Sequence, residues 1–493
     1  MVSNTLDTKD SSAPDKGKPN LMTSLRALVT KEGKSPSLGA LLSFLWPGLG
    51  QFYAGNRRLA AIFLAPTLIV IGIVAYAMRQ GPVVFGARFA DPAFCLGAIV
   101  IVVLFGLWRL IAVAHAYITG HRDPKWRQLN RVVLVALVAV IVATHGFASM
   151  VLATTYTATS NVFNTNNDLI AGDLATPVPT ATPEDVVAAS NTPAASPTST
   201  TDGRVTMLFT GVDSASTRDT RSYDSIMVVS YDPKSNTVQM VSLPREIAAF
   251  PFYWGGKDKA SDWITYMPNY LRSGHIKGSP DSPYISLLNE VQFLIGVHID
   301  YWAVMNLQGF VQMVDTIGGI DINAQAVSDP TYDWLNMRDY GVYINAGQQH
   351  LNGAYALAYA RSRHGGGNDY KRAARQQQVM LALLKKMSSP GEIFQLDNII
   401  ARVGSSVDVG STDPTHPFVP SMVADYIAIA EQVPANNFTN IVLGPPYTTT
   451  IPRSISGKAS ICLNVSMVAT ESIKLFGTDS LYSGKSKPAN TCP

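Results

Sequence analysis

The chain has 493 residues and a formal net charge of +3 at neutral pH, too near neutrality for a dedicated nucleic-acid binder. Only 15% of residues are charged against 47% apolar, a balance tilted toward membrane, and the length leaves room for two or three domains. The apolar excess lies almost wholly before residue 155.

Residues 1–36 are polar, show no cleavable signal peptide, and read as a cytoplasmic tail. A multi-span anchor over 37–155 follows. "LGALLSFLWPGLGQFYAGN" (Leu38–Asn56) is apolar but carries Pro47, Gly48 and Gly50 near its middle, which suits a re-entrant or interfacial hairpin better than a continuous span. Three later runs, Leu59–Met78, Ala93–Ile118 and Val132–Ala153, come near the roughly 20 residues that cross a bilayer. Lys16, Lys18, Arg26, Lys31, Lys34, Arg57 and Arg58 precede the first run, and Arg122, Lys125, Arg127 and Arg131 separate the second from the third. The intervening loop has only Arg79 and Arg88, set against Asp91. The positive-inside rule then predicts a cytoplasmic N-terminus, with everything after Ala153 outside a bacterial cytoplasmic membrane.

Residues 156–203 are dominated by Ala, Thr, Pro and Ser, a composition that predicts an extended, solvated stalk. From residue 204 to 450 strands and helices alternate, which predicts an α/β domain with a sheet flanked by helices. "VTMLFTGVD" ends at Asp213 and "DSIMVVSYD" opens at Asp224, with Arg218 and Arg221 between them. Two carboxylates at adjoining strand ends can hold one hard divalent cation, Mg2+ or Mn2+, whose shell a pyrophosphate would complete. Further on, "YARSRHGGGNDYKRAARQQQ" (Tyr359–Gln378) packs five basic residues against one acid, Asp369. Asp369 is placed to cap a helix running to about Met387. On that helix Arg372, Arg375 and Gln376 fall at i, i+3 and i+4, so they share a face. Arg361 and Arg363 approach from the preceding element across a "HGGGN" joint. Outside the cell such a guanidinium cluster meets phosphate or carboxylate of lipid-linked, wall or secreted polymer rather than nucleic acid. The tail, 451–493, reads as a small appendage, with Cys462 and Cys492 expected to pair in an oxidising space.

Taken together, "GVD…RSYDSIMVVSYDPKSNTVQMVSLPRE", "VMNLQGFVQMVDTIGGIDIN" and "GQQHLNGAYALAYARSR…DYKRAARQQQ" resemble the successive motifs of the LytR-CpsA-Psr family. The resemblance covers most of 204–387, in the family's order. It implies an α/β/α sandwich with a central mixed sheet, membrane-anchored and facing outward. It also implies transfer of a glycopolymer from polyprenyl pyrophosphate to a peptidoglycan hydroxyl, and membrane partners without nucleic acid. Carried over by motif, Asp213 and Asp224 serve a magnesium–pyrophosphate site, and Asp224 is also a candidate base. Arg245, Arg361, Arg363, Arg372 and Gln376 clamp the pyrophosphate, with Arg375 in support. Two departures stand out: Tyr223 is inserted between Ser222 and Asp224, and Glu246 replaces the family's Asp after Arg245. A non-catalytic holder of lipid-linked or wall polymer is the alternative reading.

Overall fold

In a computed structural model of the chain, the residues described are 34–120, 124–163, 170–174, 203–213, 221–256, 259–333, 340–363, 368–387, 389, 406–413, 415–419, 421–452, 457, 459–486, 488 and 492. They form two compact units, one from Met1–Ala77 and Ala98–Val151 and the other from Met78–Gly97 and Leu152–Pro493.

The first unit is helical. Pro47 and its glycines split the first apolar stretch into α1 (Pro36–Leu45) and α2 (Leu49–Tyr53). Each is too short to cross a bilayer. At Gly50 a Cβ would lie 2.2 Å from the Gly39 carbonyl oxygen, so only glycine lets the two arms close. Buried Gln51 accepts from the Ser43 hydroxyl at 3.0 Å and donates to the Ala112 carbonyl at 2.9 Å. Among the described residues, three helices are each long and apolar enough to cross a membrane: α3 (Arg57–Ala77), α5 (Pro92–Ile118) and α6 (Arg127–Phe163). A short α4 (Pro82–Ala87), in the segment before α5, belongs to the second unit.

The second unit is built on a six-stranded mixed sheet in the order β10-β5-β1-β2-β3-β11. Its strands are β1 (Val205–Asp213), β2 (Ser222–Asp232), β3 (Thr237–Leu243), β5 (Tyr301–Asn306), β10 (Val407–Ser411) and β11 (Phe438–Val442). Alternation divides its side chains between two faces. Leu208, Val212, Ile226 and Val228 pack with Leu287, Leu288 and Val291 of α9 (Pro283–Ile295). On the other face Met227, Met240 and Phe209 meet Met380 and Leu381 of α12 (Asp369–Met387). Helices on both faces make the expected α/β/α sandwich.

Two segments differ from expectation. Within the predicted stalk, Ala171–Leu174 forms one helical turn, α7, and Ile170 is fully buried in the core beside Tyr223. One buried carboxylate holds it there: Asp173 meets Arg221 at 3.3 Å and Arg272 at 2.9 Å and accepts from the Tyr223 hydroxyl at 2.8 Å. The tail is no appendage either. Its strand β13 (Ser460–Leu463) pairs with β12 (Thr448–Ile451) and with β4 (Ile247–Ala248), and Val465 and Val468 enter the main core. Cys462 and Cys492 form the expected disulfide.

Candidate active site

Chain direction brings the site together. β2 runs antiparallel to both β1 and β3, so the end of β1, the start of β2 and the end of β3 share one edge of the sheet. The register slips between Gly211 and Val212: Gly211 faces Ser225 and Val212 faces Tyr223, leaving Asp224 as the extra residue of a β-bulge. This accounts for the inserted Tyr223. Its ring lies fully buried in the core with Val212 and Ile226, while Asp224 is turned toward the opposite side and a ring of arginines.

Asp224, Arg245, Arg361, Arg363, Arg372 and Gln376 line one cavity of about 90 Å³. Arg245, just after β3, donates to Asp224 Oδ1 at 2.6 Å, and the Ser222 hydroxyl donates to the same oxygen at 2.8 Å. Arg361 ends α11 (Gly353–Arg361) and lies 3.4 Å from Asp213 Oδ2. Arg363 meets Glu246 at 3.4 Å, and Arg372 meets Asp369 at 2.8 Å. Gln376 accepts from the Ser225 hydroxyl at 3.2 Å and donates to the Ala360 carbonyl at 3.3 Å. Each of the four arginines thus has an acid beside it, and Arg245 a second, with Asp369 3.8 Å from its Nε. Arg245 Nε and Arg372 Nε are nevertheless buried donors without an aligned hydrogen bond, which is costly unless an anion uses them.

The acids are not equivalent. Burial acts to raise the Asp224 carboxyl, but Arg245 and its hydrogen bonds outweigh burial and hold it below the usual carboxylate range. Glu246 goes the other way: burial and then the charge of Asp369 push its carboxyl up, with Arg245 and Arg363 opposing. Burial lowers the Arg372 guanidinium to about 10, so it remains a cation at neutral pH.

Several sequence expectations fall elsewhere. Arg375 does not line the cavity. It is fully buried and donates to the Tyr359 carbonyl at 2.7 Å and to the Ser362 carbonyl. The single helix face divides because Arg372, Gln376 and Met380 follow one i, i+4 row while Arg375, Val379 and Leu383 follow another, into a different core. Asn368 caps α12, accepting from the Lys371 amide at 3.2 Å; Asp369 therefore spends its charge on Arg372. Arg221 anchors the Asp173 segment instead of the cavity, and Arg218 lies outside the described residues. Sequence reasoning missed Ser222 and Ser225, whose position around the bulge was the available signal.

Asp213 and Asp224 offer hard oxygen donors on one edge of the sheet. Among the described residues no three or more His, Cys, Asp or Glu gather into a metal cage. Two carboxylates are within the number that Mg2+ takes when phosphate oxygens complete its shell, and of the two only Asp224 lines the cavity.

The fold and this cavity define a class, and the chain belongs to it: residues 174–438, more than half of the 493, match the LytR_cpsA_psr family. Among similar curated proteins is the polyisoprenyl-teichoic acid–peptidoglycan teichoic acid transferase TagV of Bacillus subtilis (strain 168). It is 30% identical over 204 residues, covering 41% of this chain and 48% of TagV. Another is the regulatory protein MsrR of Staphylococcus aureus (strain COL), 31% identical over 215 residues, covering 43% of this chain and 58% of MsrR. The chain thus spans about half the length of the curated relatives it matches. The crystal structure of B. subtilis TagV aligns with 56% of this chain and 98% of its own at a TM-score of 0.43 and 21% identity.

Proposed function

We propose that this protein is a membrane-anchored glycopolymer transferase whose domain after α6 faces outward. The donor is a glycan on polyprenyl pyrophosphate, the acceptor a peptidoglycan hydroxyl, and the products a phosphodiester-linked wall polymer and polyprenyl phosphate. The observation that carries this reading is the convergence of four guanidiniums and Gln376 on one cavity. The similarity to TagV, a polyisoprenyl-teichoic acid–peptidoglycan teichoic acid transferase, supports it.

In the proposed step the acceptor oxygen forms a bond to the phosphorus that carries the glycan. The bond from that phosphorus to the bridging oxygen breaks, and the electron pair leaves on polyprenyl phosphate. Arg361, Arg363 and Arg372 bind the non-bridging oxygens, and Arg245 the leaving phosphate, where charge grows in the transition state. The acceptor proton passes to Glu246. Of Glu246 and Asp224 the former is the better base, since a carboxyl raised toward the working pH takes protons more readily than one held down like Asp224. Mg2+ or Mn2+, held by Asp213 and Asp224, would supply further neutralisation of the diphosphate. Asp213 and Asp224 would then release Arg361 and Arg245 to the phosphates, so this chain's ion pairs couple cation and diphosphate binding.

Incubation of the full chain with a lipid-pyrophosphate glycan, a peptidoglycan fragment and Mg2+ tests the reading. Mass analysis is expected to find both the joined polymer and free polyprenyl phosphate. Binding of the donor without release of polyprenyl phosphate would mark a polymer-holding protein instead.

A further inference from the structure

The membrane unit holds a larger cavity of its own, about 320 Å³, walled by Val70, Ile101, Val140 and Phe44, with Arg109 and His145 as its ionisable groups. Arg109 stands nine residues before the end of α5 at Ile118, about 14 Å along the axis at 1.5 Å per residue. That is well within the apolar span. Its Nη2 donates to the Phe44 carbonyl at 2.6 Å, serving one of the four carbonyls that the end of α1 leaves open. A guanidinium has five donors, and neither this carbonyl nor the Phe44 ring, which lies 5.2 Å from Arg109 Cζ, carries a formal negative charge. Between residues 34 and 151 the acids are Asp91 and Asp123 alone, and both lie outside α3, α5 and α6. No carboxylate within these helices therefore balances Arg109. Ionisable side chains at this depth are rare, face bundle interiors or cavities, and mark substrate or ion pathways.

We infer that this cavity binds a single-chain prenyl phosphate, its phosphate on Arg109 and its branched chain along Val70, Ile101 and Val140. Charge complementarity calls for an anion, and the apolar walls call for a hydrocarbon attached to it. The choice of a prenyl chain over a two-chain phospholipid rests on the proposed transfer reaction, which releases such a lipid. On the orientation expected from the charge pattern, Arg109 lies in the cytoplasmic half of the membrane. The cavity is then a second carrier site, separate from the transfer site.

The test uses the full chain in phosphatidylcholine nanodiscs with farnesyl phosphate bearing a photoreactive group, and maps labelled peptides by mass spectrometry. Label is expected on 101–109 and 140–148. Arg109→Gln should reduce that label about tenfold or more, the effect of losing one charge-assisted pair, and Arg109→Lys should keep most of it. Arg372→Ala should remove label from the outer domain only. Should Arg109→Gln fail to insert, Ala148→Phe fills the cavity and leaves the cation in place; label must fall there too. Unchanged label in the tested variant, or competition by phosphatidylglycerol as effective as by unlabelled farnesyl phosphate, overturns the inference. Intramembrane label without any transfer activity would count against the transferase reading alone.

Discussion

Arginines that look alike in sequence separate by where their helix row points. Arg361→Ala removes a half-buried cavity donor and should lower transfer about 10²–10³-fold while leaving the melting temperature within a few degrees. Arg372→Ala should lower transfer as far but also cost stability, because it leaves buried Asp369 without its partner at 2.8 Å. Arg375→Ala should do the reverse of Arg361→Ala. It strips the partner from the Tyr359 and Ser362 carbonyls in a buried site, so unfolding titrations should show a loss of about 2–4 kcal/mol before any effect on donor affinity. Glu246 carries a prediction in pH. A base must be deprotonated to act, and its carboxyl is raised, so the rate should fall as pH drops through a value above the ordinary carboxylate range. Glu246→Gln should abolish that limb, and a limb that survives would assign it elsewhere. The six residues that line the cavity were all legible in the sequence, Arg245 through the family resemblance alone and the other five from their pattern as well. Spacing could not separate Arg375 from Arg372, because i+3 and i+4 neighbours diverge only once the two packing partners of α12 are known. Nor could it prefer Asn368 to Asp369 as the cap, since both side chains suit that position.

At the level of elements, two pieces outside the motif region hold the site in place. Ile461 donates its amide to the Glu246 carbonyl at 3.1 Å, and the Trp263 indole, which lies beneath Arg245, donates to the Ser460 hydroxyl at 2.9 Å. The disulfide closes this tail over a separation of 30 residues, so reduction should cost about 2–4 kcal/mol, measured as a shift in urea midpoint. The α7 turn is held by Asp173, whose side chain is fully buried while Arg221 and Arg272 are 24% and 29% exposed. Asp173→Ala should therefore cost about 2–3 kcal/mol, below the 3–5 typical of a fully buried pair because solvent screens the arginines. Neither piece was legible in sequence. A four-residue turn inside a Ser/Thr/Pro-rich stretch has no period to reveal it, and the short strand β13 acquires meaning only by pairing with β4.

On the scale of the whole molecule, the lengths of the apolar runs and the alternation of strands and helices placed the apolar helices and the helix-flanked sheet, because length and alternation are local properties of the chain. The convergence of β1, β2, β3, α11 and α12 on one cavity is a consequence of topology, which the motifs indicated through resemblance rather than through spacing. The central claim is that this cavity moves a polymer off its lipid carrier. Following release of polyprenyl phosphate from a lipid-pyrophosphate glycan by the full chain, with peptidoglycan fragment present and absent and with Arg361→Ala alongside, tests it most directly. The account predicts acceptor-dependent release that the variant loses by about two orders of magnitude. Release at the same rate by the variant, or none by the native chain while it binds the donor, would contradict it.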